Sequence, residues 1–117
     1  MRVDAYEFGR ITIDGVAYDH DVVIEGGTIR KRKKRPSKPR KEEFGHTPLT
    51  AAEDIPWSAR RLWIGTGAYG RLPVAEDLRE EARRRGVQLL MKATPELAKL
   101  INEALPPDTN LILHVTC

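Results

Sequence analysis

The chain has 117 residues, 40% of them apolar and 32% charged, which is long enough for one domain that needs no staples. No apolar run approaches the ~18 residues of a membrane span. The opening Met1-Arg2-Val3-Asp4-Ala5 shows no secretory leader, and the one cysteine, Cys117, excludes an internal disulfide, so the chain reads as cytoplasmic.

The net charge of +3 hides a split: nine Lys or Arg and no acid lie between Arg30 and Lys41, while the rest carries eleven basic against seventeen acidic residues. An acidic body with one basic stripe is a footprint that would suit nucleic acid, an acidic protein or a membrane surface.

The first third reads as β. Ile11 and Ile13 alternate with Arg10 and Thr12, the period of a half-buried strand. Asp14-Gly15 suits a tight hairpin turn, and Val16 and Tyr18 start the return. Val22-Val23-Ile24 is a β-branched run closed by Gly26-Gly27, and Thr28 to Arg32 continues it. The pattern predicts one antiparallel meander.

Pattern then gives way to charge. Arg30, Lys31, Arg32, Lys33, Lys34, Arg35, Lys38, Arg40 and Lys41 are interrupted by Pro36 and Pro39. Like charges repel and proline removes backbone donors, which predicts a solvated, mobile loop. Its bland role is solubility; its functional role is contact with nucleic acid or another polyanion. The stripe holds no aromatic on which a base could stack.

Thr50-Ala51-Ala52-Glu53 has capping-box spacing and predicts a short helix stopped by Pro56. Leu62-Trp63-Ile64 is a buried strand that runs into Gly65-x-Gly67-x-x-Gly70. A helix is expected from Pro73 to Arg85, with Val74, Leu78 and Ala82 on one face and Gly86 as its stop. Glu80 with Arg84 and Glu81 with Arg85 are acid-before-base pairs at helical spacing. Val87 to Met91 is strand-like. Thr94-Pro95 marks the next helix start, with Leu97, Leu100, Ile101 and Ala104 inward, and Leu111 to Val115 is a last buried strand. The second half is β-α-β-α-β, which predicts parallel strands. Leu62, Ile64, Val74, Leu78, Ala82, Leu89, Leu97, Ile101, Leu111 and Leu113 are expected in one core.

Three sets of residues bear on chemistry. The glycine triplet fits a phosphate-cradling fingerprint, but a dinucleotide site needs its helix to begin within that fingerprint. Arg71-Leu72-Pro73 intervene, and no acid ends the following strand, so no cofactor is expected. A simpler nest of backbone amides from Thr66 through Gly67, Tyr69 and Gly70, helped by Arg71, would suit an anion. Its bland counterpart is a tight crossover turn.

His20, His46 and His114 have no partner at ligand spacing, so no metal is expected. His114 and Cys117 fall on opposite faces of an extended strand and are not expected to pair unless the terminus curls. His46 is the more informative histidine. His46, Thr66, Tyr69 and Thr94 could converge outside the carboxyl ends of the strands, although no orienting acid is identifiable.

Asp14-Gly15, Asp21-Val22-Val23-Ile24, Gly45-His46 with Leu49 and Asp54, Gly65-Thr66-Gly67 with Tyr69-Gly70, Thr94-Pro95 with Asn102, and the ending His114-x-Thr116-Cys117 occur in that order. This order resembles the family of small α/β proteins that includes the adipogenesis-associated domain protein and a mitochondrial respiratory complex I assembly factor. The resemblance implies a three-layer α/β fold with a central mixed sheet and a small extra β layer. It implies no established enzymatic activity or cofactor, and members with a role look like assembly factors. The segment Arg30–Lys41 departs from those relatives, which tend to have an aromatic there and a shorter turn. The resulting reading is a non-catalytic interaction or assembly module with a protein partner. The alternative is nucleic-acid or anionic-partner binding through residues 30–41, and the third reading is a small-molecule site at Gly65–Gly70.

Overall fold

A computed structural model describes residues 1–117. The strands are β1 (Val3–Glu7), β2 (Arg10–Ile13), β3 (Val16–Tyr18), β4 (Val22–Glu25), β5 (Thr28–Lys31), β6 (Arg61–Thr66), β7 (Gln88–Lys92) and β8 (Thr109–His114). The helices are α1 (Lys41–Phe44), α2 (Glu76–Arg85) and α3 (Thr94–Ala104), with a 3-10 turn at Arg35–Arg40 ahead of α1.

Two sheets form. The small one has the order β1-β2-β3, all antiparallel. The central one has the order β5-β4-β8-β6-β7, with β6 parallel to both β7 and β8 and β4 antiparallel to β8 and β5. This is the three-layer α/β architecture with a mixed sheet.

The period-two alternation sorts each strand between two cores. In β8, Leu111 and Leu113 face one layer and Ile112 the other; in β4, Val22 and Ile24 oppose Val23. One core joins Ile11 and Ile13 of the small sheet to Leu97 and Ile101 of α3. The second places Leu62 and Ile64 against Leu78 of α2 and Leu49. The single core expected from the sequence is therefore two, because a sheet covered on both faces divides its apolar residues.

The predicted meander is likewise split. β1–β3 close as one sheet, and the chain then crosses to begin β4 in the other. The Asp14-Gly15 turn forms as expected, with φ of 48° and 81°. The two prolines of α2 and α3 diverge. Pro95 sits in the first turn of α3, whereas Pro73 lies outside α2. The Pro73 carbonyl accepts from the Leu49 amide at 2.8 Å, and the Ala75 amide donates back to Leu49 at 2.9 Å. That bridge holds residues 73–75 extended, so the helix starts at Glu76. Gly86 closes α2 at φ 70°, as read. On α2, Glu81 pairs with both Arg84 and Arg85, and Glu80 pairs with neither. Ala104, expected inward, is exposed.

The short helix at Thr50–Glu53 does not form; the segment is a turn. Thr50 Oγ1 accepts from the Ala52 amide at 3.3 Å, but Glu53 has left the box for a buried arginine. The basic segment is not an open loop. It turns through Arg35–Arg40 into α1, and Ser37 within it is fully buried.

Candidate functional site

The carboxyl ends of β6 and β8, the start of β4 and the end of β5 meet along one edge of the central sheet. A buried chain of polar groups lies there. Arg32 follows β5, and its side chain is 2% exposed. Its Nε and Nη2 donate to the two oxygens of Glu53, each at 2.8 Å, its Nη1 to Asp21 Oδ2 at 3.0 Å, and its Nη2 also to the Pro48 carbonyl at 3.0 Å. A planar guanidinium fits this bidentate arrangement where an ammonium would not. The Ser37 hydroxyl completes it by donating to Glu53 Oε2, with Thr50 Oγ1 2.7 Å away.

Asp21 links this group to β8. Its Oδ1 accepts from the Val115 amide at 2.9 Å, and Oδ2 lies 2.8 Å from His114 Nδ1. Burial pushes the Asp21 carboxyl up, but the hydrogen bond and charge of His114, the Val115 amide and Arg32 outweigh it and hold it at about 2. With Nδ1 turned to that carboxylate, the ring places Nε2 3.2 Å from the Thr116 hydroxyl. Asp21 orients His114, not the His46 for which an acid was sought in the sequence. Its signal was an acid placed immediately before a β-branched run, at the mouth of a strand.

A cavity of about 200 Å³ opens beside this chain. Lys34, Lys41, His46, Arg71 and His114 line it, and no Asp or Glu side chain does. Arg32, Thr47, Leu72, Thr116 and Cys117 complete the wall. A second cavity of about 250 Å³ shares Arg32, Lys34 and His114 but contains Asp19 and Asp21. His114 and Cys117 thus line one cavity despite their opposed strand parity, because β8 ends at His114 and residues 115–117 leave the strand.

His46 and Arg71 reach the cavity; Thr66, Tyr69 and Thr94 do not line it. Thr66 donates its hydroxyl to the Lys92 carbonyl at 3.1 Å. Tyr69 is 69% exposed and lies near Phe8 and the Arg71 guanidinium. Thr94 is fully buried, donating to the His114 carbonyl at 2.7 Å and accepting from the Gly67 amide at 2.9 Å.

The glycine loop holds the protein's own chain. The Ala68 amide donates to the Thr116 carbonyl at 2.7 Å, and those of Tyr69 and Arg71 donate to Cys117 O at 3.2 and 3.1 Å. Gly70 and Leu72 donate to Gly67 and Thr66. Each amide from Gly67 to Leu72 therefore already has an acceptor, and the anion nest read from the sequence is filled by residues 116–117. The glycines serve that packing. A Cβ on Gly67 would stand 2.2 Å from the Cys117 carbonyl carbon, and one on Gly65 would stand 2.8 Å from Thr94 Oγ1.

The nine cations of the basic stripe divide. Arg30 pairs with Glu25 and Asp54, Arg32 with Asp21 and Glu53, and Arg40 with Glu43 and Asp77. Lys31, Lys33, Lys34, Arg35, Lys38 and Lys41 have no ion-pair partner, and all six are exposed.

No family model matches the chain, and no curated protein matches it in sequence. Among solved structures, a conserved hypothetical protein from Pyrococcus horikoshii OT3 is 28% identical, with both chains covered over 100% of their length and a TM-score of 0.82. A Mth938-like domain protein from Bordetella pertussis is 18% identical over 97% of this chain and 85% of its own, at a TM-score of 0.63. An outer membrane protein from Bartonella henselae is 17% identical over 98% of this chain and 94% of its own, at a TM-score of 0.65. The last two share the fold. No helix of this chain is long and apolar enough to cross a membrane.

Proposed function

We propose that this chain is a non-catalytic binding module that docks an acidic segment of a protein partner on the face formed by residues 31–41. The observation that carries this reading is the set of six cations with no counter-ion, displayed on a turn whose Ser37 is buried beneath them. Unpaired, exposed charge of one sign steers an oppositely charged partner and sets the rate of encounter. The motif order, which resembles a family with assembly factors among its members, supports a binding role. A cytoplasmic location belongs to the same reading, supported by a chain whose single cysteine allows no internal disulfide.

A protein partner is preferred to nucleic acid on one observation. No aromatic stands among the six cations, and the nearby Phe44 ring is covered by the Arg40 guanidinium at 5.2 Å. Base stacking has no platform there.

The test uses fluorescence anisotropy of a labelled oligoglutamate peptide and of single- and double-stranded DNA, each across a salt series. The triple variant Lys33→Ala, Arg35→Ala, Lys38→Ala removes exposed charge and spares the buried Arg32. Peptide binding that weakens with salt and is lost in the variant supports the reading. Binding that the variant leaves unchanged overturns it, as does tight binding of DNA without the peptide.

A further inference from the structure

The cavity beside the docking face differs from that face in how it is assembled. Lys34 and Lys41 come from the basic stripe, His46 from the turn after α1, Arg71 from the glycine loop, and His114 and Thr116 from the end of β8 and beyond. Segments far apart in sequence bring cationic or imidazole side chains to one space that no Asp or Glu side chain lines. Lys34, Lys41 and Arg71 make no ion pair. The one deeply buried cation in the wall, Arg32, is neutralised from behind by Glu53 and Asp21. What remains in the wall without an ion-pair partner is the charge of Lys34, Lys41 and Arg71.

We propose that this cavity is a binding site for a phosphate dianion, either free phosphate or the head of a phosphate monoester. Its volume of about 200 Å³ lies below the ~300–1,000 Å³ of pockets for drug-sized ligands, which suits a group of a few heavy atoms. Three unpaired full charges match a dianion better than a single carboxylate. The Arg71 fork, two ammonium groups and the Thr47 hydroxyl provide more donors than two carboxylate oxygens can accept, whereas a phosphate monoester offers three strong acceptor oxygens. The site uses side chains alone, because the neighbouring backbone amides are consumed by residues 116–117. This inference deepens the docking reading, since it places a phosphate pocket at the edge of the basic face, and it shares Lys34 and Lys41 with that reading.

The test is a titration of the ¹⁵N-labelled protein followed by amide chemical shifts. Inorganic phosphate and O-phosphoserine are the two ligands, and acetate and chloride at matched ionic strength are the controls. Saturable shifts at Thr47, Arg71 and Thr116 with either phosphate ligand, absent from both controls, are expected. Saturation by both assigns the site to the phosphate group itself; saturation by inorganic phosphate alone assigns it to the free ion. Arg71 is exposed, so Arg71→Ala should keep the spectrum dispersed while weakening phosphate at least about tenfold. Shifts that stay linear, that chloride reproduces, or that Arg71→Ala leaves unchanged overturn the proposal. Arg71 lies outside residues 31–41, so the two readings separate. Failure with phosphate while oligoglutamate still binds removes the cavity site and leaves the docking face. The opposite pattern does the reverse.

Discussion

Two parts of this molecule are rich in arginine and lysine, and they treat that charge differently. On α2, Arg79, Arg83, Arg84 and Arg85 all pair with Glu76 or Glu81 one or two turns away. That surface is self-neutralised. In the stripe 30–41, only the three residues that reach acids elsewhere in the fold are paired. The others make no ion pair: the stripe itself holds no acid, and of the two glutamates that follow it only Glu43 pairs, with Arg40. A count of basic residues therefore says little about a binding surface; the distribution of acids within reach decides it. The stripe itself contains both extremes, since Arg32 is buried in a bidentate pair while its neighbours Lys31 and Lys33 are exposed and free.

The sharpest way to break this contrast is to remove an acid from each region. Glu53→Ala leaves the Arg32 guanidinium buried without its bidentate partner and should cost about 3–5 kcal/mol. Glu76→Ala on α2 should stay within about 0.5 kcal/mol. Urea denaturation measures both, and equal losses would show that Arg32 is no different from a surface arginine.

A second test addresses the cavity wall. Gly67→Ala sets a side chain against the Cys117 backbone at a φ of 102°, a conformation that L residues rarely adopt. A loss of at least about 2 kcal/mol is expected, together with faster amide exchange at Ala68 and Tyr69 as residues 116–117 lift away. Unchanged exchange would mean that those residues do not hold the loop.

The third test is acid. The Asp21 carboxyl titrates at about 2 in the fold against an ordinary 3.8, so it stabilises the protein fully above about pH 4. As the pH falls from there through 2, about 2 kcal/mol is lost. Asp21→Asn should flatten that part of the stability profile measured by thermal melts between pH 5 and 2. A profile with the same slope in the variant would place the acid sensitivity elsewhere.

The smallest expected effect sharpens the comparison from the other side. The double change Glu76→Gln, Glu81→Gln frees the arginines of α2 without touching the stripe. If unpaired charge is what a polyanion reads, elution from heparin should move to modestly higher salt. An unchanged elution position would mean that the form of the 31–41 platform matters as well as its free charge.

Much of the fold was legible from local pattern. The Ile11–Ile13 alternation, the Asp14-Gly15 turn, the Leu62–Ile64 run and the Leu97–Ile101 helix face each follow from interactions within a few residues, and each stands where the sequence put it. The misreadings share one cause. Glu53 was read as half of a capping box, yet its side chain serves Arg32, far along the chain. Pro73 suited a helix start, but Leu49, distant in sequence, keeps it extended. Of the candidate site, His46 and Arg71 were legible as polar residues in loops at strand ends. Asp21, Thr47 and the approach of Cys117 were not.

By itself, then, the sequence determined the order and type of the main elements and the presence of one uncompensated run of charge. Tertiary structure alone decided which of those charges stay free, what fills the glycine loop, and which residues surround the cavity. Periodicity and turn chemistry act over a few residues and can be read from neighbours. Ion pairs, close backbone approaches and cavity walls join segments up to about a hundred positions apart, and only the folded chain brings those into contact.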